Sequence, residues 1–175
     1  MILFELDGVL SNHSHRLHLI DSKKNSVLNG NPPRGWKPDF YEFFNQCHKD
    51  EEIREIGAIF RRGMLLSKHK DHFGWQIWTS RPEEFREKTV EWLIENLSPI
   101  FSTDRWNEYL KMNEHSGPVD DDKWFEIRLG EYLHCHEYMN YELPEIEMAF
   151  VSNEFKAKVC RGFGIFALNC NQDYK

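Results

Sequence analysis

Met1-Ile2-Leu3-Phe4-Glu5-Leu6-Asp7-Gly8-Val9-Leu10-Ser11 opens the chain, and the later segments take their meaning from it. An apolar run with no polar residue before Glu5 predicts a buried central strand. The run closes with an acid, an apolar residue, a second acid and Gly8, which sets two carboxylates at the C-terminal end of a strand. Ligands bind at that end of an open α/β sheet. Glu5 and Asp7 are two residues apart, so both face the same side if the chain stays extended. A solvated strand end is the plainer alternative, but a carboxylate inside so apolar a strand is costly without a purpose.

The 175 residues are enough for one domain with a full hydrophobic core, spanning 1–175, and too few for two ordinary ones. An aromatic content of 14% argues against disorder over most of the length. The formal net charge of −7 has the wrong sign for general attraction to a nucleic-acid backbone. Cys47, Cys135, Cys160 and Cys170 are scattered, with no Cys-x-x-Cys pair, and read as reduced thiols. No charged-then-apolar leader precedes the first strand, and no apolar run approaches the roughly 20 residues of a membrane span. The expectation is a cytoplasmic chain with no membrane attachment.

Residues 12–37 form a long polar connection centred on Asn29-Gly30-Asn31-Pro32-Pro33, the kind of segment that covers a site or moves over it. It carries His13, His15 and His18, with Arg16 among them; the histidines read as solvated or substrate-facing rather than as a metal cluster, because no carboxylate or Cys partner falls at ligand spacing. A short helix is expected over Phe40–Cys47 and a longer one from Glu51 to Lys70, with Ile53, Ile56, Phe60 and Met64 at helical intervals. Its early acids and late bases (Arg61, Arg62, Lys68, Lys70) suit the helix dipole. Trp75 to Thr79 reads as a strand, and Pro82 as the first residue of a helix running to Leu97.

Phe101 to Pro118 carries no periodic signal and reads as irregular. A helix over 123–139 follows the acids 120–122, then a strand from Ile146 to Val151, a helix over 154–162 and a strand from Ile165 to Leu168. His134-Cys135-His136 reads as structural, since helix positions two apart do not share a face. Strands alternating with helices predict an α/β fold with a mostly parallel central sheet and helices on both faces.

Phe4-Glu5-Leu6-Asp7-Gly8-Val9-Leu10 resembles the first motif of the haloacid dehalogenase (HAD) phosphatases, apolar-Asp-x-Asp-Gly-Thr/Val-Leu, with Glu5 in place of the nucleophilic Asp. Further stretches are similar to one branch, the 3′-phosphatase domain of phage polynucleotide kinase/phosphatases. They are Lys37 to Phe44 with Asp50, Ile77-Trp78-Thr79-Ser80-Arg81-Pro82-Glu83 with Thr89 and Trp92-Leu93, and Leu110-Lys111-Met112 with Asp122-Lys123. No kinase P-loop is present. The resemblance implies a HAD-like Rossmannoid domain with a small cap or insert over 12–50. At the fourth motif, Ser152-Asn153 stands where that family has two acids.

The resemblance also assigns roles. Glu5 takes the nucleophile position, Asp7 that of the general acid/base, and Lys123 that of the cation screening the phosphoryl charge. Thr79, Ser80 and Arg81 would hold the phosphate, and Glu5, Asp7 and Asn153 would be what remains of a magnesium site. Read locally, Thr79 and Ser80 serve equally well as helix caps, and Lys123 as a surface ion-pair partner.

One added methylene moves the Glu5 oxygens by about an ångström, enough to cost roughly 100-fold in rate. With Ser152 and Asn153 also lacking the anionic oxygens that Mg²⁺ prefers, no cofactor is expected, and Mg²⁺ is the metal if one binds. The expectation is a degenerate phosphatase homologue, phage-encoded, that acts by binding nucleic acid or a host or phage protein of a nucleic-acid-processing or transcription machine. Small phage proteins that shut off host transcription, such as Alc, are examples of that class. An active Mg²⁺-dependent phosphatase on 3′-phosphates or nucleotides and a nucleotide-binding sensor are the alternatives. Trp75, Trp78, Trp106 and Trp124 are candidates for interface anchors, most of them expected in the core.

Overall fold

The computed structural model describes residues 1–22, 34–67, 74–97, 103–114, 119–138 and 145–171, without the side chains of 64–67, 103–104 and 136–138. The centre of the 12–37 connection, residues Lys68 and Lys70, Ser98-Pro99 and the His136 side chain lie outside the described residues. Strand β1 (Ile2–Glu5) is the middle of a five-stranded parallel sheet. Its neighbours are β4 (Trp75–Pro82) and β6 (Met148–Val151), with β5 (Leu110–Asn113) and β7 (Phe166–Asn169) at the edges, in the order β5-β4-β1-β6-β7. A Rossmann-like α/β architecture results. Among the described residues no helix is long and apolar enough to cross a membrane.

Strand alternation divides the core between the two faces. Phe4 is in register with Ile77 on one side and Phe150 on the other, and all three face α2 (Arg54–Ser67), α3 (Arg86–Asn96) and α4 (Thr103–Tyr109) through Ile56, Phe60, Leu93 and Trp106. Leu3, Trp78 and Ala149 face the opposite way, onto Phe125 and Leu129 of α5 (Asp121–Tyr138) and Ala157 and Cys160 of α6 (Glu154–Gly162). Trp75, Trp78 and Trp106 are buried in these cores, while Trp124 is half-buried against one of them. All four cysteines are free thiols.

Between β1 and α2 lies an insert whose described parts are a 3-10 turn (Ser14–Leu19), α1 (Phe40–Asn45) and a second turn (Cys47–Lys49). Asp39 caps α1 by accepting the Glu42 N–H at 2.9 Å. Phe43 and Phe44 pack on Phe85, just before α3, with Leu17, Leu19, Ile20 and Phe40 around them. The insert thus has a small apolar core of its own.

Several boundaries differ from the sequence reading. Glu51 and Glu52, expected to begin a helix, form β3, which pairs antiparallel with β2 (Ser11–Asn12). Pro82 ends β4 rather than starting a helix; it pairs with Asn113 at the sheet edge, and a 3-10 turn (Glu83–Phe85) leads into α3. The stretch read as irregular holds both α4 and edge strand β5. Four residues with one exposed lysine leave no alternation long enough to read.

Candidate functional site

Beyond Glu5 the chain leaves the sheet abruptly. The Leu6 carbonyl accepts the N–H groups of Leu10 and Ser11, each at 2.9 Å, and Gly8 has a left-handed φ of 80°. A Cβ at Gly8 would stand 3.1 Å from Cβ of Ser152 at the end of β6. Gly8→Ala is therefore expected to cost roughly 1–3 kcal/mol, through the φ penalty and this contact, read as a shift of the urea midpoint. The turn also overrides the same-face expectation. Glu5 stays with the α5–α6 side of the sheet, whereas Asp7 swings into the insert, and the two carboxylates share no hydrogen-bond partner among the described contacts.

Asp7 is saturated by neighbours. Arg81 donates to it from Nε at 3.2 and 3.0 Å and from Nη2 at 2.7 Å, Arg16 Nη2 donates at 2.9 Å, and the Thr79 hydroxyl donates at 2.8 Å. The same two guanidinium groups hold Asp50, Arg16 through Nε and Nη2 at 2.7 Å each and Arg81 through Nη2 at 2.7 Å. Arg16, Arg81 and Asp50 have no exposed side-chain surface. Arg16 further donates to the Phe43 carbonyl at 3.0 Å and lies 4.2 Å over that ring. Two cations and two anions close into one buried square that ties the insert to the end of β4.

This square corrects three expectations. Burial by itself would raise the Asp7 pKa, yet Arg81 and Arg16 hold its carboxyl well below the usual carboxylate range. A group held ionised in this way has no proton to give a leaving oxygen, so Asp7 is not a general acid as arranged here. Thr79 spends its hydroxyl proton on Asp7 and accepts the Arg81 N–H at 3.2 Å. Arg81, raised further in pKa by Asp7 despite its burial, turns inward. Neither residue is left to clamp a phosphate. Ser80 alone of the three lines open space.

Glu5 belongs to a second network. It is buried, accepts the Ser152 N–H at 2.8 Å, and is paired with Lys156 of α6. Lys156 has no exposed side-chain surface and also pairs with Asp121 at the start of α5. Loss of water pushes Glu5 up to about 7, outweighing the attraction of Lys156, while Glu5 and Asp121 raise Lys156 against the effect of its burial. Lys156, and not Lys123, is the lysine that reaches Glu5. The Lys123 side chain is exposed, and its backbone N–H completes the α5 cap on Asp120 at 3.1 Å. Lys156 was readable only as a lysine on the Ala157–Cys160 face of an amphipathic helix.

Asn153 is the N-cap of α6: its Oδ1 accepts the Lys156 N–H at 3.0 Å and its Nδ2 donates to Asp122 at 2.8 Å. With Glu5 tied to a lysine, Asp7 to two arginines and Asn153 to a cap, the three groups do not fit a magnesium ion, which needs anionic oxygens free to point at it. No group of three His, Cys, Asp or Glu side chains among the described residues is placed to hold a metal.

Above these networks opens a cavity of about 350 Å³. Leu17, Ile20, Phe40, Phe43 and Phe44 of the insert line it, together with Asp7, Ser80, Asp121 and Ser152. His13 also lines it; burial keeps this imidazole's pKa below its usual value. His15 stands 3.7 Å from Asp50, and His18 contacts the His15 carbonyl at 2.9 Å.

No protein-family model and no curated protein matches the chain. Among solved structures it is similar to a chain of the Pnkp1/Rnl/Hen1 complex, with a TM-score of 0.51 and 12% identity. The similarity covers 96% of this chain and 44% of that one, so the present chain spans less than half the length of its structural neighbour. At that identity the two share a fold.

Proposed function

We propose that this chain is a HAD-like scaffold, derived from a 3′-phosphatase of the polynucleotide kinase/phosphatase type, that has given up phosphoryl transfer and works by binding. The observation that carries this reading is the closed square of Asp7, Asp50, Arg16 and Arg81: Asp7 and Arg81, which would act on a phosphate ester, are each other's partners, and Asp50 and Arg16 close them in. Glu5, the nucleophile position, is likewise held by Lys156. The fold shared with a chain of the Pnkp1/Rnl/Hen1 complex supports a role beside nucleic-acid-processing enzymes. A net charge of −7 favours a protein of such a machine over bare nucleic acid as the direct contact. Phosphatase and nucleotide-sensor functions are less well supported, since both need Thr79 and Arg81 free.

Purified chain with Mg²⁺ and either an aryl phosphate or a 3′-phosphorylated oligonucleotide is expected to release no inorganic phosphate above the buffer rate. Glu5→Asp alone is expected to leave this unchanged, because Asp7 stays clamped. Turnover that disappears in Asp7→Asn would overturn the reading.

A further inference from the structure

The cavity beside Asp7 has a lining that suits a cation. Among the described residues that line it there is no lysine or arginine; the ionisable groups are Asp7, Asp121 and His13. The nearby bases, Arg16, Arg81 and Lys156, are all fully buried behind the wall and consumed by carboxylates. Five acids, Glu5, Asp7, Asp50, Asp121 and Asp122, surround those three bases, so the neighbourhood stays negative even with Glu5 protonated. An anion entering the cavity would meet acceptors with no cation to balance it.

Two further observations point to what does fit. The apolar part of the lining is rich in aromatic rings, Phe40, Phe43 and Phe44, and the face of such a ring attracts a cation. This protein already packs one guanidinium, that of Arg16, on Phe43. The second observation is the cavity's shape: a partly enclosed pocket whose lining has acids at Asp7 and Asp121 and apolar rings from the insert.

Resting on the reading of the chain as a non-catalytic binder, we propose that this cavity takes a guanidinium or ammonium group carried on a short apolar stem, its charge toward the half-exposed Asp121 and its stem along Phe40 and Phe44. An arginine or lysine side chain of a partner protein and a free polyamine share this chemistry. The volume of about 350 Å³, near the lower end for small-molecule sites, suits a ligand of that size.

Calorimetric titration of the full chain tests this with agmatine, with an unstructured peptide bearing one arginine between apolar residues, and with inorganic phosphate as the anion. The expected result is saturable one-site binding of both guanidinium ligands and none of phosphate. Tighter binding of the peptide would identify a partner's side chain as the source, and equal or weaker binding a free amine. Asp121→Asn is expected to weaken agmatine about tenfold, and Phe40→Ala, which leaves Lys156 its partners, should weaken it comparably. Binding of phosphate in preference to agmatine, no agmatine binding at all, or affinity unchanged in both variants would overturn the proposal. Phosphate-ester turnover, measured on the same preparation, bears separately on the loss of catalysis: a sample silent in turnover that ignores guanidinium ligands refutes the cation site alone.

Discussion

Asp50→Ala is expected to lower the stability of the chain by roughly 3–5 kcal/mol, seen as a large fall in the urea midpoint at neutral pH. Asp50 has no exposed side-chain surface and carries three charge-assisted bonds of 2.7 Å, two to Arg16 and one to Arg81. Alanine leaves two guanidinium groups in a site where Asp7 supplies the one remaining close carboxylate. The cost comes mostly from stranded charge, since the Asp50 carbonyl keeps its bond from Trp92 Nε1.

A second variant separates this account from simple loss of packing. Arg16→Met combined with Asp50→Leu removes a cation together with its anion and fills the space with apolar atoms, which for buried pairs is often near neutral. The double variant is expected to recover most of the stability lost in Asp50→Ala. A double variant as unstable as the single one would show that the ion pairs themselves are favourable. Arg16 and Asp50 flank the insert while Arg81 and Asp7 lie at the sheet end, so amide exchange in α1 should also quicken in Asp50→Ala.

The pH dependence of stability is expected to turn on Glu5. Its pKa is raised from 4.5 to about 7, so the folded state holds this proton more tightly than the unfolded chain. A raised carboxyl contributes fully below the unfolded value of 4.5, and that contribution is lost as pH climbs through about 7. The shift corresponds to about 3 kcal/mol between pH 4.5 and 8. Asp7 acts in the other direction: its lowered pKa gives stability that is complete above the unfolded 3.8 and lost on further acidification.

From these two groups stability should therefore peak near pH 4, between the unfolded values of 3.8 and 4.5. His13, with its lowered pKa, adds a smaller rise toward 6.5 that partly opposes the loss from Glu5. Glu5→Gln isolates the effect, because it removes the titrating group and leaves His13 and Asp7 in place. The stability difference between the parent chain and this variant is expected to change by about 3 kcal/mol from pH 4.5 to 8. Curves that stay parallel would mean that Lys156 keeps Glu5 ionised throughout.

β1 could be read from one segment because burial on both faces of a central strand leaves a continuous apolar run. The helices over 54–67, 121–138 and 154–162 were readable because period and caps are local, as with the acids 120–122 before the second of them. The boundaries of β4 and the existence of β5 were not, since Pro82 and the short Leu110–Asn113 segment owe their pairing to each other.

The candidate site divides along the same line. Glu5, Asp7, Thr79, Ser80, Arg81 and Asn153 were all singled out, and the chain does bring them to one end of the sheet. What each of them does there was not in the letters. Arg16 meets Asp50 across 34 positions, Arg81 meets Asp7 across 74, and Lys156 meets Glu5 across 151.

The order of residues by itself determined an α/β sheet with β1 at its centre and polar groups at that strand's end, because periodicity and capping act over a few residues. Only the tertiary structure decided that these polar groups neutralise one another. The pairing of a buried charge depends on which distant side chain reaches it first in a space that water has left.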